Sequence, residues 1–293
     1  DGVPDLAGVG LGSHRVVLLF GDGRGGFEPP VLLGFAHLLS NGQVRVGDFD
    51  ADGHMDVVSS SRDDASLAVY FGSGGGAFEP PVKFLQTPAP LDIAVEDLNR
   101  DGCADLVVVP ASSTAVTTLA GDCGRTFVPL GSFDVSPATI RVIALADLDG
   151  DGTADLVAGS WNLPGTLAYS LGDGSGGFRS PVEISSGLIA KALALGDVTG
   201  DGRADLVTAS SDGGGTHVAG VFAGGGAEGF RPPKFVEVEE FNSELALGDL
   251  DADGRSEIVY AGRDRFFVLE YDLHDGYRVS RPVPFGRDSR GVV

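Results

Sequence analysis

Five short stretches of this chain carry enough carboxylates, at a fixed spacing, to hold a cation. Asp48, Asp50, Asp52 and Asp56 occupy positions 1, 3, 5 and 9 of a nine-residue array whose position 6 is Gly53. The array returns with Asp97, Asn99, Asp101 and Asp105, and again with Asp147, Asp149, Asp151 and Asp155. It recurs with Asp197, Thr199, Asp201 and Asp205, and with Asp249, Asp251, Asp253 and Glu257. A tight turn at the glycine folds these groups inward, and the backbone carbonyl at position 7 (His54, Cys103, Thr153, Arg203 or Arg255) completes an oxygen cage. All-oxygen coordination suits Ca2+ better than a transition metal, and Mg2+ is a poorer match because it keeps several waters. The expectation is about five Ca2+ sites, with Asn99 and Thr199 lowering the ligand charge at two of them.

The first six positions also fit an EF-hand loop, which requires a glutamate at position 12 and flanking helices. Position 12 here is Ser59, Val108, Ala158, Thr208 and Tyr260 in turn, each inside a strand-like run. That reading fails. A metal-free turn needs only glycine and one Asx residue, and gives no reason for a carboxylate spacing kept through five copies.

Net charge follows the same arrays. The chain has 42 Asp and Glu against 20 Lys and Arg, a formal charge of −22. The five arrays with Asp1 and Asp5 hold 20 of those acids, which leaves 22 against 20 and a nearly neutral remainder. The acidity therefore belongs to cation loops and not to a general surface field. It also argues against nucleic acid as a partner, since phosphates call for a basic face. No apolar stretch reaches the length of a membrane span.

The arrays start at intervals of 49, 50, 50 and 52 residues, and Asp1-Gly-Val-Pro-Asp5 reads as the back half of a sixth. Between them each repeat has the same plan. An apolar alternation such as Val44–Gly47 comes first, and a β-rich run such as Asp105–Val109 follows the array. A polar loop, a third run such as Leu67–Phe71, a Gly-rich turn and a fourth run complete the unit. Pro29-Pro30, Pro80-Pro81 and Pro232-Pro233 belong to the fourth run and mark it as an edge, where a missing N–H costs no ladder bond. Four short strands repeated at this period predict an all-β chain, a β-propeller of four-stranded blades filling residues 1–293 as one domain. Six blades are expected, with Arg290–Val293 supplying the missing inner strand of the first. A seven-bladed protein is the alternative.

These residues resemble the FG-GAP/VCBS-repeat family, which includes the propeller head of integrin α chains and some fungal lectins. The resemblance rests on the acidic arrays followed by Leu-Val, Val-Val or Ile-Val, and on Phe20-Gly21 and Phe71-Gly72. It implies that each Ca2+ loop joins first and second strands on one propeller face, with ligands on the opposite face or between blades. Later repeats depart from Phe-Gly, carrying Ala120-Gly121, Leu171-Gly172, Ala223-Gly224 and Tyr271-Asp272. Three patterns that imitate a dinucleotide fingerprint, such as Gly172-x-Gly174-x-x-Gly177, recur at this turn and open no helix, so they read as hairpin turns.

Trp161, the only tryptophan, falls with Asn162 in the polar loop between second and third strands. Both are candidate ligand contacts, and Arg62, Asp63, Asp64, His217, Arg263 and Asp264 fall in equivalent loops. Cys103, at position 7 of its array at the start of the second strand, and Cys123, in the turn after the third, meet at one end of a blade. They are expected to form a disulfide. The expectation is a secreted or cell-surface Ca2+-binding module for carbohydrate or an extracellular protein. It is not expected to be an enzyme, because the five histidines show no metal spacing and no nucleophile elbow appears. The alternative is a propeller enzyme or accessory domain acting on extracellular polysaccharide.

Overall fold

In a computed structural model of the chain, the described residues run from 2 to 284, apart from 4, 11–14, 25, 35–41, 64, 85–88, 137, 162–164, 186, 213, 239–240, 251–252, 263–264, 273–275 and 280–282. They form strands, turns and one 3-10 turn at Gly226–Glu228, with no α-helix among them. Contacts divide the chain into two compact units, Asp1–Phe133 with Gly174–Gly177, and Asp134–Asp173 with Phe178–Val293.

In the first unit, β1 (Leu6–Gly10), β2 (Arg15–Leu19) and β3 (Val31–Leu32) form a three-stranded sheet. Next come β4 (Val44–Gly47), β5 (Asp56–Ser61), β6 (Ser66–Tyr70) and β7 (Val82–Phe84). A third sheet holds β8 (Pro90–Glu96), β9 (Asp105–Pro110), β10 (Ala115–Gly121) and β11 (Phe127–Asp134). In the second unit, β12 (Val142–Ala146), β13 (Asp155–Gly159), β14 (Thr166–Ser170) and β15 (Val182–Ser185) make the fourth sheet. The fifth holds β16 (Ile189–Gly196), β17 (Asp205–Ser211), β18 (His217–Phe222) and β19 (Lys234–Val238). The sixth holds β20 (Phe241–Gly248), β21 (Glu257–Gly262), β22 (Arg265–Asp272) and β23 (Gly276–Val279), and β24 (Val283–Pro284) pairs further along β22.

Every described pairing is antiparallel, and the sheets are meanders in which spatial order equals chain order, apart from β24, which returns to β22. These are the six blades of a β-propeller. The first blade has three described strands. Residues 290–293, expected to fill its inner position, lie outside the described residues.

The strands that follow the acidic arrays are buried on both faces, which is why they read as unbroken Val/Leu runs rather than as alternation. Successive side chains of one strand point to opposite faces. Val57 accordingly packs with Val16, Leu18 and Tyr70 of the first and second blades, while its neighbour Val58 packs with Phe71, Leu106 and Leu119 of the second and third. The second unit repeats this division: Leu206 joins Leu167 and Phe222, and Val207 joins Ile258 and Leu269. Each such fully buried side chain contributes about 1.5–3 kcal/mol, and together they hold neighbouring blades face to face. The fourth strands lie at the sheet edges as expected, and the Pro pairs stand just ahead of β3, β7 and β19.

Candidate functional site

The acidic arrays form the connections between first and second strands, and all five are built on one hydrogen-bond frame. The position-1 carboxylate accepts the N–H of position 6 at 2.7–3.0 Å: Gly53 to Asp48, Gly102 to Asp97, Gly152 to Asp147, Gly202 to Asp197 and Gly254 to Asp249. Its other oxygen accepts the N–H of position 5 at 3.1–3.2 Å. The position-5 carboxylate of Asp52, Asp101, Asp151, Asp201 and Asp253 then accepts the position-7 N–H of His54, Cys103, Thr153, Arg203 and Arg255. The glycine at position 6 has φ between +79° and +88° in every copy, a region that costs other residues dearly. In two of the copies, those that begin at Asp48 and Asp147, carboxylates of the array come together over one small volume. Asp251 lies outside the described residues.

Position 9 has a second task that the sequence reading missed. Asp56, Asp105, Asp155 and Asp205 are buried, and each carboxylate ties two segments together. One oxygen accepts the position-2 N–H (Phe49, Leu98, Leu148, Val198) at 2.8–3.0 Å. The other accepts the N–H of a glycine in the turn between third and fourth strands (Gly72, Gly121, Gly172, Gly224) at 2.7–2.9 Å. Asp5 and Gly21 make the same bond in the first blade at 2.9 Å. A Cβ on the turn glycine would stand 2.3–2.4 Å from the carbonyl oxygen of position 8 (Met55, Ala104, Ala154, Ala204), so only glycine fits. The departures from Phe-Gly are therefore smaller than they look. The glycine is the constrained member of the pair, and it persists through the fifth blade. A usable signal lay in the interval of 16–19 residues from position 9 to that glycine.

The sixth blade keeps the bonds of positions 1, 5, 6 and 7 but differs around position 9. Glu257 holds the Leu250 N–H at 2.6 Å, but Leu250 is 63% exposed where its counterparts Phe49, Leu98, Leu148 and Val198 are buried.

The donor chemistry fits a hard cation. Oxygens of Asp48, Asp50 and Asp56 lie within 4.8 Å of one another, as do those of Asp147, Asp149 and Asp151. Asp50 has a side chain only 7% exposed; its Oδ2 accepts from Arg125, and its Oδ1 is buried with no hydrogen-bond partner among the described residues. Burial pushes the carboxyls of Asp56, Asp105, Asp155 and Asp205 above the ordinary aspartate range, against the pull of their amide donors. For Asp56, Asp105 and Asp155 the neighbouring carboxylates of the same loop push in the same direction. A divalent ion held by these groups would neutralise that repulsion and satisfy the orphaned oxygen.

Cys103 and Cys123 are disulfide-bonded, with Cα atoms 5.3 Å apart. Cys103 lies two residues ahead of β9 rather than in its first position, so the bond joins the acidic loop itself to the turn after β10.

At the far end of β13 from its acidic loop stands Trp161, 44% exposed. The guanidinium carbon of Arg141 lies 6.0 Å from the centre of its ring, within cation–π range. Arg141 is held in place by its own amide, which donates to the Gly159 carbonyl at 2.9 Å. Asn162, Asp64, Arg263 and Asp264 lie outside the described residues. Arg62 and Asp63 form the turn after β5, and His217 opens β18. A feature with no sequence signal is a cavity of about 550 Å3 lined by Leu32, Tyr70, Phe78, Glu79, Pro80 and Pro81.

Repeated antiparallel blades whose first and second strands are joined by carboxylate loops define a β-propeller of the acidic-loop kind. The FG-GAP-like repeat family matches residues 1–59, 48–108 and 147–208, more than half of the chain, and the chain belongs to that family. No curated protein sequence matches it. Among solved structures it is similar to an Agrocybe aegerita lectin described as recognising non-reducing terminal N-acetylglucosamine, at 19% identity and TM-score 0.66, covering 97% of this chain and 77% of that one. It is also similar to the BP39L lectin of Burkholderia pseudomallei, at 18% identity and TM-score 0.67, covering 97% and 84%. A chain from the complex of BBS1N with ARL6DN matches at 14% identity and TM-score 0.57, covering 83% and 67%. At such identities the likeness is one of fold. Among the described residues no helix is long and apolar enough to cross a membrane.

Proposed function

We propose that the chain is an extracellular carbohydrate-binding propeller whose blades are locked by Ca2+, and that it acts by binding rather than by catalysis. The observation that carries this reading is Trp161: a half-exposed indole on the loop opposite the metal loop, free to stack against the apolar face of a pyranose. Loops at that end carry no metal geometry to preserve, so they are the part of a blade able to vary for recognition. The lectin neighbours support the same reading at the level of fold. The Cys103–Cys123 bond supports an oxidising compartment outside the cytosol.

A glycan array probed with the chain in Ca2+ tests the proposal, followed by titration of the best hit against Trp161→Ala. Binding that falls at least tenfold in the variant, at unchanged melting temperature, is the expected result. An array with no hit would overturn the carbohydrate reading. A hit indifferent to Trp161→Ala would overturn the placement and direct attention to the cavity around Tyr70 and Phe78.

A further inference from the structure

Among the described arginines, Arg141 is the one with a side-chain nitrogen that is buried and without a hydrogen-bond partner. Arg45 pairs with Asp92, Arg125 with Asp50 and Glu79, and Arg255 with Asp253. Arg141 pairs with no carboxylate among the described residues, and its Nε is buried without a hydrogen-bond partner. Leaving a guanidinium N–H buried and unpaired is unfavourable, and this half-buried side chain has no carboxylate among the described residues to offset its charge. The same side chain lies over the Trp161 ring, and Trp161 is exposed.

We infer that Arg141 and Trp161 form a subsite for a pyranose carrying an anionic group, either a carboxylate or a sulfate ester. This rests on the carbohydrate reading above. Trp161 supplies the apolar platform, which any pyranose with an axial-hydrogen face can use. Arg141 supplies what a neutral sugar cannot exploit: a planar fork of N–H donors whose geometry matches a carboxylate or sulfate. The partial burial of the guanidinium strengthens the contact relative to one made fully in water. Elsewhere the acidic loops repel anions, so an anionic glycan is confined to the end of the blade away from them.

The test compares glucose, glucuronic acid and glucose 6-sulfate by calorimetric or NMR titration in Ca2+. Either acidic sugar, or both, should bind about tenfold more tightly than glucose, with the preference shrinking as salt is raised. Arg141→Gln should remove the preference, so that the acidic sugars bind no more tightly than glucose to that variant, whereas Trp161→Ala should weaken all three sugars. Arg141→Lys, which keeps the charge and loses the fork, should retain only part of the preference. A protein that folds normally and binds glucose as tightly as both acidic sugars overturns the anionic subsite while leaving the carbohydrate reading intact. So does an Arg141→Gln variant with its preference unaltered. Failure to bind any of the three sugars or any array glycan overturns both readings together. Whether the uronate or the sulfate wins decides which source supplies the charge.

Discussion

Arg125 Nε donates to Asp50 Oδ2 at 2.7 Å, so a side chain from the turn after β10 is built into the acidic loop of the preceding blade. The same guanidinium reaches Glu79 at 2.7 Å and lies 4.6 Å from the centre of the Phe71 ring. Because Cys123 stands two residues before Arg125, the disulfide holds the base of this bridge. Arg125→Ala should lower Tm, and more at low than at high ionic strength. Combined with Asp50→Asn it should lower Tm by less than the two single losses added together. Strict additivity would show that the pair is not energetically coupled.

Positions 3 and 9 should respond differently to loss of a carboxylate. Asp149 has the cation as its main expected partner, so Asp149→Ala should lower Tm in Ca2+ and change little in excess chelator. Asp155→Ala strands the buried N–H groups of Leu148 and Gly172 and should lower Tm in both conditions, by about 2–5 kcal/mol of stability. For the parent, Ca2+ at a hundred times Kd should add about 2.7 kcal/mol per site. A parent melting curve that chelation leaves unmoved would remove Ca2+ from the account.

The turn glycine makes a sharp steric prediction. A methyl at Gly172 would meet the Ala154 carbonyl oxygen at 2.4 Å and Thr153 Cγ2 at 2.7 Å. Gly172→Ala should destabilise by about 1–3 kcal/mol. Gly8→Ala, with nothing within 4 Å of the added atom, should stay within about 0.5 kcal/mol of the parent. Equal effects in urea unfolding would rule out the close approach as the reason for glycine.

Position 4 is also left-handed in the four arrays where it is described: Gly150 and Gly200 adopt φ of +81° and +76°, while Ala51 and Arg100 adopt +56° and +61°. The left-handed penalty of about 1–2 kcal/mol outweighs the extra freedom that glycine brings to the unfolded chain, about 0.5–1 kcal/mol. Ala51→Gly should therefore raise stability by up to about 1 kcal/mol. A lowered denaturation midpoint would contradict this.

Three turn carboxylates set an acid limit. Asp22 is held below its ordinary pKa by the amides of Arg24 and Gly26, Asp122 by the Thr126 hydroxyl and then its amide, and Asp212 by the Gly214 amide and then Thr216. Since the folded pKa is the lower one, their contribution is present above the unfolded value of 3.8 and lost as pH falls through the folded value. With Asp22, Asp122 and Asp212 all changed to Asn, the Tm gap to the parent should be constant above pH 3.8 and close below it. A gap that widens in acid would reverse the sign.

The amino-acid sequence alone determined the repeat, the blade plan and the composition of the acidic loops. Those features are local: carboxylate spacing, a glycine at position 6 and strand-length Val/Leu runs act within a few residues of one another. The disulfide was legible too, because antiparallel pairing of β9 and β10 brings both cysteines to one end of the blade. What tertiary structure decided were relationships across 16 or more residues. Asp56 with Gly72 joins a loop to a distant turn, and only the folded blade shows that the position-9 carboxylate is a structural clamp as well as a candidate ligand. Arg125 with Asp50 spans 75 residues, and Arg141 meets Trp161 only because the β12–β13 pairing sets Val142 opposite Gly159. Such contacts depend on where strands pair and how blades stack, which no spacing within one repeat encodes.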